Sequence, residues 1–283
     1  MTDKSLIFKR VVIAFFTTLI CMLLAVSIGD FFDSKGYMSK HITQAIIFST
    51  TIILSFWYIR IKRDNFSPKN IGLNTIKKAL LSFLLGTSFF LIPLITTLAF
   101  VSLNGMAKID INLFTNNSIL IGMITVFLFE AFPEEFVFRG YIFSNINTKL
   151  SNWKAGLISV ILFVLFPVIL FLITSNFSIE GTIGGQNSIT FSFIITLVFF
   201  GCFTTYLRIL TKSIWTGVGF HLLFVYMNKL IGSDSDSFIQ LSNVVDQNQI
   251  RNVLIVSLLT VFSLLIVYPF FSKHRIKWTE RNT

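Results

Sequence analysis

Residues 121–140 read IGMITVFLFEAFPEEFVFRG, a run whose charges are Glu130, Glu134, Glu135 and Arg139. At about 1.5 Å of rise per residue, a stretch of this length matches a hydrocarbon core about 30 Å thick, so it reads as a membrane helix. Two consecutive glutamates are then the anomaly. A carboxylate at membrane depth is costly unless it is paired, neutralised or turned toward a polar cavity, which makes Glu134 and Glu135 a candidate functional site. The plain alternative is a structural ion pair.

The rest of the chain calls for the same solvent. Its 283 residues are 54% hydrophobic and 13% charged, with 34 phenylalanines and a mean hydropathy of +0.78, more apolar surface than one soluble core could bury. Apolar runs of about twenty residues fall at 11–29, 43–61, 79–102, 118–138, 155–174, 189–210, 213–232 and 252–271. The expected fold is an all-α polytopic membrane bundle of about eight transmembrane helices.

Placing the N-terminus inside gathers 18 of the 23 basic residues on one side, as the positive-inside rule requires. Lys35, Lys40, Lys108, Lys229 and Arg251 remain outside, with the acids Asp30, Asp33, Asp110, Glu180, Asp234, Asp236 and Asp246. Both termini are therefore expected in the cytoplasm of a multi-pass cell-membrane protein. The net charge of +10 follows from this asymmetry and points to an anionic inner leaflet as partner, with no nucleic acid. Abundant Phe, Ile, Asn and Lys suit an AT-rich bacterial genome, so the expected membrane is a bacterial plasma membrane.

Lys9, Arg10, the apolar run behind them and Ala25-Val26-Ser27 share the outline of a signal peptide, but the segment is expected to stay as the first span. Cys21 and Cys202 lack the spacing of a metal knuckle or redox pair and read as small buried hydrophobes. With no repeat or low-complexity tract, residues 1–283 form one expected membrane domain.

On this topology the fourth span runs inward and carries Glu134 and Glu135 to within one or two turns of a cytoplasmic end marked by Arg139. The seventh span starts from that face and places His221 about two turns in. His41 falls at an outer loop edge and His274 in the basic tail. His221 reads either as a packing residue or as a partner for the carboxylates level with it. Glu135 precedes Arg139 by four residues, the favourable order for a helical ion pair. Glu134 points about 100° away and suits a general base acting on water. Glu130, one turn outward on the same face, shares a proton with Glu134, lines the cavity, or is a protonated structural residue bonded to a neighbouring helix. Pro133 removes a backbone hydrogen bond and is expected to kink the helix just before the pair, opening the site to the cytoplasm.

These residues resemble the CPBP intramembrane proteases, also called the type II CAAX prenyl protease or Abi family. The resemblance rests on EExxxR, here Glu134 to Arg139 within PEEFVFRGYIF, and on the later helix SIWTGVGFHLLFVYMN with His221. It covers a core at about 118–232. It implies a glutamate- and histidine-dependent (metallo)endopeptidase in which Glu134 activates a water that attacks a peptide carbonyl. His221 would bind the water or a metal, and Glu135 with Arg139 would clamp the site. A divalent metal such as zinc, on His221 and Glu134, is the cofactor it allows for, although such a site wants three protein ligands. The family completes its site with a histidine in FxxxH and an asparagine in HxxxN. Here Phe163-Val-Leu-Phe ends in Pro167, and His221-Leu-Leu-Phe ends in Val225; Asn228 follows seven residues after His221.

Three functions stay open on these residues. The first is an endopeptidase cleaving a peptide or membrane-protein segment near the cytoplasmic face, with bacteriocin self-immunity or envelope processing expected from the resemblance. The second is a silent pseudoprotease that binds and regulates a membrane partner, motivated by Pro167 and Val225. The third is a small transporter relaying protons through Glu130, Glu134 and His221.

Overall fold

The computed structural model describes residues 3–59, 68–111, 117–175, 190–232, 239–242 and 247–271. These residues are nearly all helical and form eight helices. They are α1 (Asp3–Ser34), α2 (Lys40–Tyr58), α3 (Ile76–Leu103), α4 (residues 117–147), α5 (Asn152–Thr174), α6 (Phe191–Thr211), α7 (Ile214–Leu230) and α8 (Gln247–Phe271). Each of the eight apolar segments falls on one of them. Among the described residues, four helices are long and apolar enough to cross a membrane: Ser5–Ser34 of α1, α3, α5 and Phe193–Thr211 of α6. Phe16, Ile20 and Leu24 on α1, and Leu80, Leu84, Ile92 and Ile95 on α3, are exposed. Rows of large apolar side chains pointing outward are what lipid-facing helices require, and the protein is a multi-pass membrane protein.

Helices in lipid gain little from hydrophobic burial against each other, so close packing over small residues holds them. The α3–α7 pair shows this. A Cβ on Gly86 of α3 would strike the Thr216 carbonyl of α7, and one on Gly219 of α7 would strike the Phe83 carbonyl of α3. Phenylalanines fill the rest of the interior. Phe90, Phe200, Phe203, Phe220 and Phe224 pack ring against ring where α3, α6 and α7 meet, with centroids 4.5–6.0 Å apart; this spacing favours aromatic pairs.

Helix α4 departs most from a regular rod. It runs from Asn117–Val126 through a π-helical stretch, Phe127–Ala131, a single α turn, Phe132–Glu134, a second π-helical stretch, Glu135–Ile142, and a last turn, Phe143–Asn147. Pro133 sits in the short α turn between the two π stretches. The i→i+5 pattern of π-helix on either side brackets the position where proline lacks its N–H, and the helix continues past it. The glutamates thus sit on a wide, irregular part of one long helix.

Two basic residues need moving from where the charge count puts them. Arg139 is wholly buried and α4 continues eight residues beyond it, so it marks no membrane edge. Arg208 on α6 is also buried. Neither therefore bears on which side faces the cytoplasm. Of the two cysteines, Cys21 is buried as expected, whereas Cys202 is exposed. Ala25 of the signal-peptide-like stretch is fully buried in α1.

The all-α expectation also misses a small sheet. Strand β1 (Lys108–Ile111) follows α3, β2 (Ile231–Gly232) follows α7 and β3 (Ile239–Ser242) precedes α8, in the order β1-β3-β2. β1 and β3 are antiparallel with Lys108 opposite Ser242 and Ile111 opposite Ile239, while β2 runs parallel to β3. Strands that follow α3 and precede α8 therefore pair with each other.

Candidate functional site

The glutamate pair divides as the spacing predicts. Glu135 is wholly buried, and its Oε1 lies 3.2 Å from Arg139 Nη1. The Arg139 guanidinium stacks 4.1 Å over the Phe163 ring and donates from Nη2 to the Gly201 carbonyl at 3.4 Å. Burying the ion pair is tolerable because each charge has the other, and the arginine also has an aromatic face and a carbonyl.

The geometry adds a third member. His221 Nδ1 lies 3.4 Å from Glu135 Oε1, so the imidazole leans on the clamp glutamate. Its ring meets Phe200 edge-on, with centroids 4.5 Å apart. Gly217, one turn earlier on α7, makes room for this contact, since a Cβ there would come within 2.5 Å of Glu135 Oε2. The Gly-Val-Gly of the α7 sequence is thus explained twice, by Glu135 at Gly217 and by α3 at Gly219. Both Glu135 oxygens, Arg139 Nη1 and His221 Nδ1 are buried without an aligned hydrogen bond among the described residues, so the cluster is held by charge at short range.

Glu134 turns elsewhere. Its side chain lines a cavity of about 280 Å³ together with Glu130, His221, Pro167, Val225 and six phenylalanines. Glu130, Glu135, Arg139 and His221 each lie within electrostatic reach of Glu134. The cavity therefore joins α1, α4, α5, α6 and α7, and Pro167 and Val225, the positions where the FxxxH and HxxxN motifs have histidine and asparagine, line it together with Glu134 and His221. Asn228 is on α7, but its side chain lies outside the described residues.

A divalent metal is poorly served here. No group of three His, Cys, Asp or Glu side chains among the described residues could hold one. Proline and valine bring no donor to the positions where further ligands would come, and Glu135 is committed to Arg139. His221 and Glu134, the expected ligands, do not make a site that fits zinc.

Behind the clamp lies a residue that the charge count puts at a loop edge. Arg208 Nε donates to the Arg139 carbonyl at 3.2 Å, and its Nη2 donates to the Asn70 carbonyl at 3.0 Å and to Ser144 Oγ at 3.5 Å. Ser144 in turn donates to the Asn70 carbonyl at 2.7 Å. Gly72, at φ +82°, lies so close that a Cβ would be 2.9 Å from Arg208 Cζ. Arg208 thus ties the short 3₁₀ helix Pro68–Ile71 to the π-helical part of α4. The signal available was the apolar setting of TTYLRIL, where a guanidinium needs partners.

Comparison with known proteins bears on residues 116–227, which match the model of the type II CAAX prenyl endopeptidase Rce1-like family. No curated protein and no solved structure matches the chain. The matched residues contain the whole cavity wall contributed by α4, α5, α6 and α7, and they include Glu134, Glu135, Arg139 and His221. Over this core the chain is similar to the CPBP family of type II CAAX prenyl endopeptidases, as the EExxxR motif and the histidine helix indicate.

Proposed function

We propose that the protein is an intramembrane endopeptidase of the CPBP type that works without a bound metal. The observation that carries this reading is the shared cavity: Glu134 and His221 face the same space of about 280 Å³, while Glu135 and Arg139 brace each other behind it. A water between Glu134 and His221 would lose its proton to the Glu134 carboxylate as it attacks the peptide carbonyl, and the same carboxylate would return the proton to the leaving amine. The Glu135 carboxylate holds the imidazole in place from the other side.

The remaining features are read from the charge pattern and the resemblance. Eight spans with both termini cytoplasmic keep 16 of the 23 basic residues on the inner side after Arg139 and Arg208 are set aside. Residues 1–283 then form one domain in a bacterial plasma membrane, with the 118–232 core taking a peptide or membrane-protein segment from the cytoplasmic side. Envelope processing or bacteriocin self-immunity is the setting that the resemblance supports.

Purified protein in lipid nanodiscs should cleave members of a peptide library, and Glu134→Gln should abolish that cleavage. Cleavage that survives the substitution overturns the assignment. The presence of Pro167 and Val225 on the cavity wall favours a second reading, a silent relative that binds a membrane partner through the same cavity. Under it, Glu134→Gln leaves the cellular phenotype intact at normal expression.

A further inference from the structure

Ser49 on α2 is buried and bonds outside its own helix. Its hydroxyl donates to the main-chain carbonyl of Leu128, 79 residues away in the first π-helical stretch of α4. Thr43 and Thr51, on the same helix, instead return their hydroxyls to the carbonyls of Ser39 and Ile47, four residues back.

Pro133 explains why the Leu128 carbonyl is on offer. Through Phe127–Ala131 the main-chain bonds run over five residues, and the Phe132 N–H closes the stretch on the Phe127 carbonyl. The next bond in that series would run from residue 133 to Leu128, and Pro133 has no N–H to give. A carbonyl left without a donor is costly in lipid, where no water replaces it. Ser49 supplies the donor from α2. The surrounding rings are built to the same wide turn. Phe127 and Phe132, five residues apart, stack with centroids 5.8 Å apart, and Phe132 stacks in turn on Trp215 of α7 at 5.6 Å. Phe48, the neighbour of Ser49, meets Phe129 edge-on at 5.8 Å.

A wide turn holds one residue in excess of an α-helix, so its place along α4 decides which way the following side chains face. If it lay beyond Glu134 instead of ahead of it, that side chain would turn by about 100° and leave the cavity it lines. We infer that Ser49 is a positioning residue: by bonding Leu128 it fixes the wide turn ahead of Pro133 and so holds Glu134 toward the cavity. The inference rests on the proposed endopeptidase for the role of Glu134. Ser49 is not among the residues lining the cavity, so it acts through α4.

The test uses the full-length protein in lipid nanodiscs. Pro133→Ala returns an N–H at position 133 and so serves the Leu128 carbonyl without Ser49, which separates capping from packing. Orientation is read by the rate at which a small methanethiosulfonate reagent labels the Glu134→Cys protein, made together with Cys21→Ala and Cys202→Ala. Adding Ser49→Ala should slow that labelling about tenfold, and in the protein that keeps Glu134 it should lower kcat about tenfold while KM stays within about twofold. Adding Pro133→Ala should restore most of both. Unchanged labelling in a folded Ser49→Ala protein overturns the inference, as does a loss that Pro133→Ala does not relieve or a position 134 that never labels. Where Ser49→Ala alone fails to fold, recovery of folded protein on adding Pro133→Ala is the same rescue, and failure of the double variant overturns the inference. Slowed and rescued labelling in a protein without peptidase activity would sink the endopeptidase and spare the role of Ser49, whereas cleavage untouched by Ser49→Ala would do the reverse.

Discussion

Gly217 of α7 lies directly against Glu135 of α4, so close that a methyl group in place of its hydrogen would fall 2.5 Å from the Glu135 carboxylate. The absence of a side chain at Gly217 is what lets the carboxylate sit between Arg139 and His221. Gly217→Ala should therefore push Glu135 out of its ion pair and lower stability by about 1–3 kcal/mol, the usual range for overpacking. Thermal unfolding of the purified variant checks this, and an unchanged midpoint would count against the close approach of the two helices.

The Glu135–Arg139 pair makes a second prediction with a built-in control. Removing either charge alone leaves the other buried and uncompensated, which costs about 3–5 kcal/mol. Glu135→Gln and Arg139→Met should each destabilise strongly, while the double variant should recover much of the loss. Additive losses would mean that the two side chains do not act as a pair.

Arg208 supports the site from behind and should not tolerate lysine. A single ammonium cannot reproduce a fork that reaches the Arg139 carbonyl, the Asn70 carbonyl and Ser144 Oγ. Arg208→Lys is expected to cost about 1–3 kcal/mol, the penalty for leaving buried polar groups unsatisfied. Faster proteolysis at residues 68–75, as the 3₁₀ helix Pro68–Ile71 loosens, would be the accompanying sign.

The two positions that depart from the family motifs can be reversed. Pro167→His with Val225→Asn places donors in the cavity that Glu134 lines. An oxyanion donor is typically worth a factor of about 100 to 1,000 in rate, so the double variant should cleave peptides at least tenfold faster than the unmodified protein. No gain in a folded variant would show that the reaction centre lies elsewhere.

Much of this is legible in the sequence, for identifiable reasons. Length and hydropathy locate the helices because a lipid-facing surface leaves its apolar residues outside as well as in, so the signal is continuous along each segment. The i,i+4 spacing of Glu135 and Arg139 predicts their ion pair, and the residual direction of Glu134 predicts a cavity. The failures share a cause. Hydropathy puts Arg139 and Arg208 at a membrane edge because it treats every arginine as wet, whereas both are buried by contacts from residues more than 60 positions away. The contact of His221 with Glu135 depends on α4 and α7 meeting at Gly217, which no local pattern encodes. The β1–β3 pairing joins segments about 130 residues apart, and strands of four residues are too short to stand out beside helices.

The π-helical build of α4 makes the site sensitive to chain length in a way that composition does not register. A π stretch accommodates more residues in a turn than an α-helix does. Deleting one residue between Phe127 and Ala131 would turn the i→i+5 bonds there into i→i+4 bonds and leave the flanking turns, with Glu134 and Arg139, facing as before. The same deletion in the regular turns Asn117–Val126 would instead rotate the two sides of the helix against each other by about 100°. The site is thus encoded partly as a count of residues, and the π stretch is where that count has one to spare.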